Sequence, residues 1–384
     1  MPIKWIIWRI LSRFRSRALF RVPDFAPRRV LVMRYGFLGD VLQTTPVLRV
    51  VRKKWPDARI DYWVSGQAAP ALEHTPYITS IISADKHGAL SIRRPIAVVR
   101  HAMMLRRARY DLAICLGADP FYGFLAWLAD IKCRSGLIVS RKKSAFLNVW
   151  VETPLSDRVS RQQRYLELVQ RLGIDVSAGD AGIRMSWSSE DERKTDALLG
   201  RSHGKLLAFF CGTGPPRFRP WANRSWDAGS WTALAEKIIH NYSEVKILLI
   251  GAEREAEINE KIASALPGDR VLDISGQTSF SQLAPVLKKC MLLVSNDSSP
   301  VFVASAVDCP TVVIYGPEWP ARPRPLGAQD WHPVYREMPC RDVCSSFPDR
   351  APECENECMS QVTVGMVFDN VESVLNGKGS FCET

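Results

Sequence analysis

Arg29–Arg52 reads RVLVMRYGFLGDVLQTTPVLRVVR. The run Arg29–Met33 reads as a short, largely apolar strand. Tyr35-Gly36-Phe37-Leu38-Gly39-Asp40 follows, and its two glycines let the chain turn sharply. Val41, Leu42, Val47, Leu48 and Val51 then recur at helical spacing over residues 38–54, and Lys53 and Lys54 suit a helix C-terminus. Pro46 should bend that helix or confine it to its early turns. A strand, a glycine turn and a helix in this order open a doubly wound α/β sheet.

The alternation continues outward. Strands are expected at Ile60–Val64, Ile78–Ser83, Tyr110–Cys115 and Ser135–Val139, with helices over 66–73, 94–108 and 119–130. Residues 174–203 hold Gly179 and Gly182 and then a polar stretch, and read as a linker. A second series follows, with strands at Leu206–Cys211, Val245–Ile250, Arg270–Ser275, Leu292–Ser295 and Thr311–Tyr315. Its helices are expected over 227–242, 253–266, 279–289 and 299–307. The chain therefore divides into a basic segment (1–28), two Rossmann-like parallel-sheet domains (29–185 and 186–339) and a cysteine-containing tail (340–384), expected to pack back on the first domain. Ligands of such sheets bind beyond the carboxyl ends of the strands, here expected in a cleft between the domains.

The 384 residues are 46% hydrophobic and 24% charged, which excludes a disordered or collagen-like chain. The 51 basic and 40 acidic residues leave a net charge of +11. Residues 1–29 alone carry Lys4 and seven arginines against Asp24, so the leader is far more basic than the rest. Ile3, Ile7, Ile10, Leu11, Phe14 and Ala18 share a helical arc opposite Arg9, Arg13 and Arg17, with Lys4 and Arg15 intruding. This suits an anionic membrane surface rather than a nucleic acid; a packed helix with solvated arginines is the alternative. Trp5-Ile6-Ile7-Trp8 is too short for a signal-peptide core, and no run reaches the roughly 20 apolar residues of a membrane span. A cytoplasmic protein with mostly reduced cysteines is the expectation.

Five constellations could carry chemistry. Asp40, after Gly39 at the sheet edge, fits either a helix cap or a catalytic base. Gly212-Thr213-Gly214 follows the first strand of the second domain and could present N–H groups to a phosphate, with Arg217, Arg219 and Arg224 supplying cations. Asp297-Ser298-Ser299, before Pro300, forms a strand-to-helix turn suited to an anion or to simple capping. Glu253, just after a strand, could accept ribose hydroxyl protons or merely favour a first helical turn. Cys340, Cys344, Cys354 and Cys358 could hold a structural metal, stay as thiols or pair as disulfides.

Together these stretches resemble the ADP-heptose:lipopolysaccharide heptosyltransferases of glycosyltransferase family 9. Arg29–Arg52 resembles their opening strand-turn-helix, Ser295–Pro317 their nucleotide-sugar segment, and Gly212–Trp226 their Gly/Thr loop with its Lys-x-Trp element. The tail ending Cys358-Met359 is also similar to many members. The resemblance implies the GT-B architecture, with acceptor in the first domain and sugar nucleotide in the second. It implies an inverting transfer with no metal or other cofactor required at the reaction centre. Asp40 then matches the base, Glu253 the ribose acid, Thr213 a hydroxyl near the phosphates, and Ser298 and Ser299 the usual Thr-Gly. Two departures stand out: Arg224 replaces the usual lysine, and Phe302 falls where members often carry histidine, which leaves open a family member that uses a different donor sugar.

The implied partners are a nucleotide-sugar donor and a lipid-linked saccharide acceptor, met at the cytoplasmic face of the inner membrane. Two other readings compete. One is a non-catalytic GT-B-shaped sensor of sugar nucleotides, which the two replacements favour and Asp40 disfavours. The other is a nicotinamide enzyme, against which the third glycine of the dinucleotide fingerprint is missing from the 212–214 loop.

Overall fold

Val30, Leu31, Val32 and Met33 are wholly buried, as expected of a central parallel strand covered on both faces. They belong to β1 (Arg29–Arg34), the middle of the first of two sheets. The structure is a computed structural model. It describes residues 25–84, 95–154, 156–200, 204–213, 224–328, 330–346 and 356–377. The chain splits into two units, Met1–Ala181 and Gly182–Thr384, within a few residues of the expected 185/186 boundary.

The first unit carries β1, β2 (Arg59–Ser65), β3 (Ser80–Ala84), β4 (Leu112–Cys115), β5 (Cys133–Ile138) and β6 (Val149–Glu152), ordered β3-β2-β1-β4-β5-β6. Every neighbouring pair is parallel. The single helix expected over 38–54 is two helices, α1 (Leu38–Leu42) and α2 (Thr45–Lys54). Pro46 lies in the first turn of α2, where its missing N–H costs nothing. The segment 66–73 is a 3₁₀ helix, Gly66–Leu72. Then come α3 (Pro95–Arg107), α4 (Pro120–Leu128) and α5 (Arg161–Gln170), the last not anticipated from the sequence.

The second unit repeats the plan. Its strands are β7 (Lys205–Phe210), β8 (Val245–Leu249), β9 (Val271–Asp273), β10 (Cys290–Asn296), β11 (Thr311–Ile314) and β12 (Trp331–Val334), ordered β12-β11-β10-β7-β8-β9. Both sheets thus follow the 3-2-1-4-5-6 order of dinucleotide-type folds, with the reversal beside the first strand. The polar stretch read as part of a linker is α6 (Ser189–Leu199). Ser188 caps it by accepting the Asp191 N–H at 3.1 Å, and Asp191 returns the bond to the Ser188 N–H at 3.0 Å. After it come α7 (Ala228–Asn241), α8 (Ala256–Ser264), α9 (Leu283–Lys288) and α10 (Ser299–Ala306).

The tail forms α11 (Arg341–Ser346), α12 (Glu357–Ser360) and α13 (Val364–Leu375). It does not return to the first unit as expected. Cys358, Met359, Val362, Val367, Phe368 and Val371 complete the second unit's core against Trp226, Trp231 and Ile238. The indole N–H of Trp226 donates to the Val362 carbonyl at 2.9 Å. Burying these apolar side chains outweighs any pull elsewhere.

Candidate active site

In the second unit the ends of β7, β10 and β11 lie side by side, and Gly212, Thr213, Asp297, Ser298 and Ser299 collect there. Gly212 and Thr213 follow β7. Asn296, the last residue of β10, ties the two turns together: its side-chain amide donates to Cys211 O at 2.9 Å and Gly212 O at 3.2 Å. A side chain at Gly212 could not be accommodated, because a Cβ there would fall 2.4 Å from Glu255 Cγ. Asp297 comes next, then Ser298 as the N-cap of α10 and Ser299 in its first turn. The Ser298 side chain makes no capping bond to the helix, so the plain capping role is not what this hydroxyl performs.

Arg224 reaches the same place. Its guanidinium lies 3.0 Å from Asp297 Oδ2 and 3.6 Å from Glu318 Oε2. Glu318 also holds Arg322 at 3.2 Å. Both carboxylates are nearly closed to solvent, whereas the Arg224 side chain keeps 20% of its surface exposed. Two acids thus fix Arg224 as a partly open cation at the sheet edge, and one of them also holds Arg322. The loop bearing Glu318 is clamped from below by Arg341, which donates to Gly316 O at 2.6 Å and Glu318 O at 2.7 Å. Burial weakens the hold of Arg341 on its proton, and the carbonyls it serves are the reason it is buried at all. Glu253 begins the 3₁₀ helix Glu253–Glu255 beyond β8 and is exposed. Its neighbour Glu255 is buried and accepts the Ala252 N–H at 2.8 Å.

In the first unit, Asp40 sits on α1 beyond the end of β1, preceded by Gly39. Phe37, not Asp40, is the N-cap of α1; Asp40 stands at the third helical position and its Oδ2 accepts the Phe37 N–H at 3.2 Å. Its Oδ1 lies 2.8 Å from Arg34 Nη2. A Cβ at Gly36 would fall 2.8 Å from Oδ2, so glycine there makes room for the carboxylate. Burial by itself would raise the Asp40 pKa; Arg34, then Arg161 and the Phe37 N–H, outweigh it and hold the carboxyl below the usual range. The side chain keeps 25% of its surface exposed. Asp40 is therefore ionised and reachable, which a base requires.

Cys340, Cys344 and Cys358 line a small pocket with Arg341 and Glu357. None of the three is in a disulfide. Among the described residues no three His, Cys, Asp or Glu side chains are arranged to hold a metal ion. Cys354, Gly214, Arg217, Arg219 and leader residues 1–24 lie outside the described residues. Phe302 is buried in α10.

The profile of Glycosyltransferase family 9 (heptosyltransferase) matches residues 98–349, well over half of the chain. The chain belongs to glycosyltransferase family 9. It is a glycosyltransferase, and neither the sensor reading nor the nicotinamide reading is retained. The lipopolysaccharide heptosyltransferase 2 of Salmonella typhimurium is 27% identical over 314 residues, covering 78% of this chain and 85% of that protein. A glycosyl transferase family 9 structure from Veillonella parvula superposes with a TM-score of 0.77 at 21% identity, over 93% of this chain and all of that one. The E. coli ADP-heptose lps heptosyltransferase II structure does so with a TM-score of 0.70 at 20% identity, over 92% and 100%. The two Rossmann-like sheets are those of the GT-B class.

Sequence reasoning missed Arg34, Asn296, Glu318, Arg322 and Arg341. Asn296 stood inside the Ser295–Pro317 segment and could have been found by asking what joins two neighbouring loops. Nothing local marks the others.

Proposed function

We propose that this family 9 enzyme moves heptose from ADP-heptose onto a phosphate-bearing, lipid-linked saccharide of the lipopolysaccharide core type, with inversion. The observation that carries the donor half is the convergence of Gly212–Thr213, Asp297–Ser299 and the anchored Arg224 on adjacent strand ends. Backbone N–H groups at the 212–213 turn and the start of α10 face a diphosphate, and Arg224 offsets the charge that grows on it as the glycosidic bond breaks. Glu253 is placed to accept ribose hydroxyl protons. In the other half, Asp40 takes the proton of the acceptor hydroxyl as its oxygen attacks the anomeric carbon.

In this reading the arginines do the electrostatic work that a divalent cation does elsewhere, so transfer proceeds without a metal at the reaction centre. The tail cysteines serve the fold, not the reaction. The acceptor is embedded in a membrane, and the enzyme works as a peripheral protein on the cytoplasmic face. Among the described residues no helix is long and apolar enough to cross a membrane.

The test is a thermal-shift and calorimetry panel of ADP-, GDP- and UDP-sugars without added metal. ADP-heptose should bind most tightly and ADP should compete with it. Preference for a UDP- or GDP-sugar would refute the donor assignment while leaving the family intact.

A further inference from the structure

Helix α3 (Pro95–Arg107) is built with two apolar faces. Val98, Ala102 and Leu105 are buried in the first unit's core. Yet Ile96 is 85% exposed, Val99 52%, Met103 50% and Met104 41%. Six large apolar side chains are conspicuously exposed among the described residues, and four of them are these. At 100° per residue, Ile96, Val99 and Met103 fall on one line, opposite Val98 and Leu105. Arg100, Arg106 and Arg107 are exposed beside that line, with Arg109 just beyond the helix.

The charge around the stripe is one-sided. Lys86–Tyr110 contains seven basic residues and no acid. That equals the excess of the leader, and together the two segments leave the remainder of a +11 chain net negative. The net positive excess of the body therefore falls in the stretch of sequence that contains α3, and Arg100, Arg106, Arg107 and Arg109 place part of it on or just beyond the exposed apolar helix.

We infer that the outer face of α3 is a membrane-interfacial surface that docks on an anionic lipid bilayer. This rests on the peripheral-membrane reading above and says where the contact is made. A helix of 13 residues cannot span a bilayer, but it can lie in the headgroup plane with a few apolar side chains below it. Methionines adapt to a fluid surface, and arginines reach up to phosphate groups while their stems stay apolar. Charge complementarity selects this occupant. The leader and a second copy of this chain both bring like charge to the stripe, whereas anionic lipid brings the opposite charge over an extended plane.

The test uses the full chain and sucrose-loaded vesicles of phosphatidylcholine, with or without phosphatidylglycerol. Two variants are compared: R100Q/R106Q/R107Q, and V99S/M103S. Each is also made in a chain lacking residues 2–24. Wild type should sediment with the anionic vesicles only. Removing residues 2–24 should leave measurable, salt-sensitive binding. The arginine variant should weaken partitioning on the order of tenfold or more, in both backgrounds. The serine variant should weaken it as well, and should abolish whatever binding survives at high salt. Melting temperature and transfer to a water-soluble acceptor fragment should not change, since these side chains are exposed and distant in sequence from Asp40 and Arg224. Equal binding by wild type and both variants overturns the inference and leaves the peripheral reading standing. No vesicle binding by wild type overturns both, while the soluble-acceptor assay reports on the enzyme separately. Loss of a dimer in the variants, without a change in vesicle binding, identifies the face as a protein contact and overturns it too.

Discussion

Arg34 Nη2 lies 2.8 Å from Asp40 Oδ1, so the proposed base is born paired with a cation at the end of its own strand. The pair ensures that Asp40 is ionised, and it also makes Asp40 a weaker base than an isolated carboxylate. Displacement from a diphosphate leaving group tolerates a weak base, because the acceptor hydroxyl need surrender its proton only as the new bond forms.

That relationship predicts a pH profile. With its pKa below the ordinary value of about 3.9, Asp40 should impose no acid limb on kcat/KM at or above pH ~5. Arg34→Met removes the principal cation, so the Asp40 pKa should rise and an acid limb should move up toward neutrality. Profiles measured from pH 4 to 8 decide this; superimposable curves for the two proteins would show that Arg34 does not tune Asp40.

Arg224→Ala should weaken ADP binding by about tenfold or more, the scale of a lost charge-assisted hydrogen bond of roughly 1.5–3 kcal/mol. Arg224→Lys should restore much of it. Because the substitution to Ala also takes the Arg224 cation from Asp297 and leaves Glu318 to Arg322, a lower melting temperature should accompany it. Calorimetry with ADP separates the two effects, and ADP affinity unchanged in the Ala variant would remove Arg224 from the donor site.

Glu318 is a positioning residue in this account, since it holds Arg224 at 3.6 Å and Arg322 at 3.2 Å. Glu318→Gln should lower kcat and donor affinity together, by a smaller factor than Arg224→Ala. A purely structural role would instead lower the melting temperature and leave kcat and the donor KM where they were.

Asp61 gives a stability prediction away from the site. Its buried carboxylate accepts from Arg59 Nε at 2.9 Å, Ser80 Oγ at 2.7 Å and Tyr110 Oη at 2.8 Å. Burial alone would raise its pKa, but these donors bring it below the ordinary carboxyl value. The stabilisation is then fully present above the unfolded pKa of about 3.9 and is lost as pH falls through the lower folded pKa. Asp61→Asn should cost about 1–3 kcal/mol at pH 7. Urea titrations at several pH values should show that gap narrowing below pH 4; a constant gap would mean the carboxylate charge is not what the site uses.

The sequence disclosed what local rules govern. β1 was readable because a strand covered on both faces is apolar along its buried length, and the turns at Gly39 and Gly212 because a chain leaving a strand sharply favours glycine. What it hid has physical reasons. β12 contains Pro333, which only an edge strand tolerates, and β6 is four residues long with a half-buried Trp150. α6 is so polar that it passed for a linker, although its Ser188/Asp191 pair is a cap signature. Glu318 acts on Arg224, and Arg341 on the loop bearing Glu318, from far along the chain, so no spacing rule could join them. The tail went to the wrong unit because apolar periodicity says that a helix packs, not on what.

The most direct measurement follows ADP release and product mass when the purified enzyme meets ADP-heptose and a core saccharide acceptor, for wild type and Asp40→Asn. The account predicts a heptosylated product of inverted anomeric configuration from wild type, and turnover lower by about 10²-fold or more in the Asn variant, with ADP binding and melting temperature preserved. Near-normal transfer by Asp40→Asn would reduce Asp40 to the acceptor of the Phe37 N–H in the first turn of α1 and contradict the mechanism at its centre.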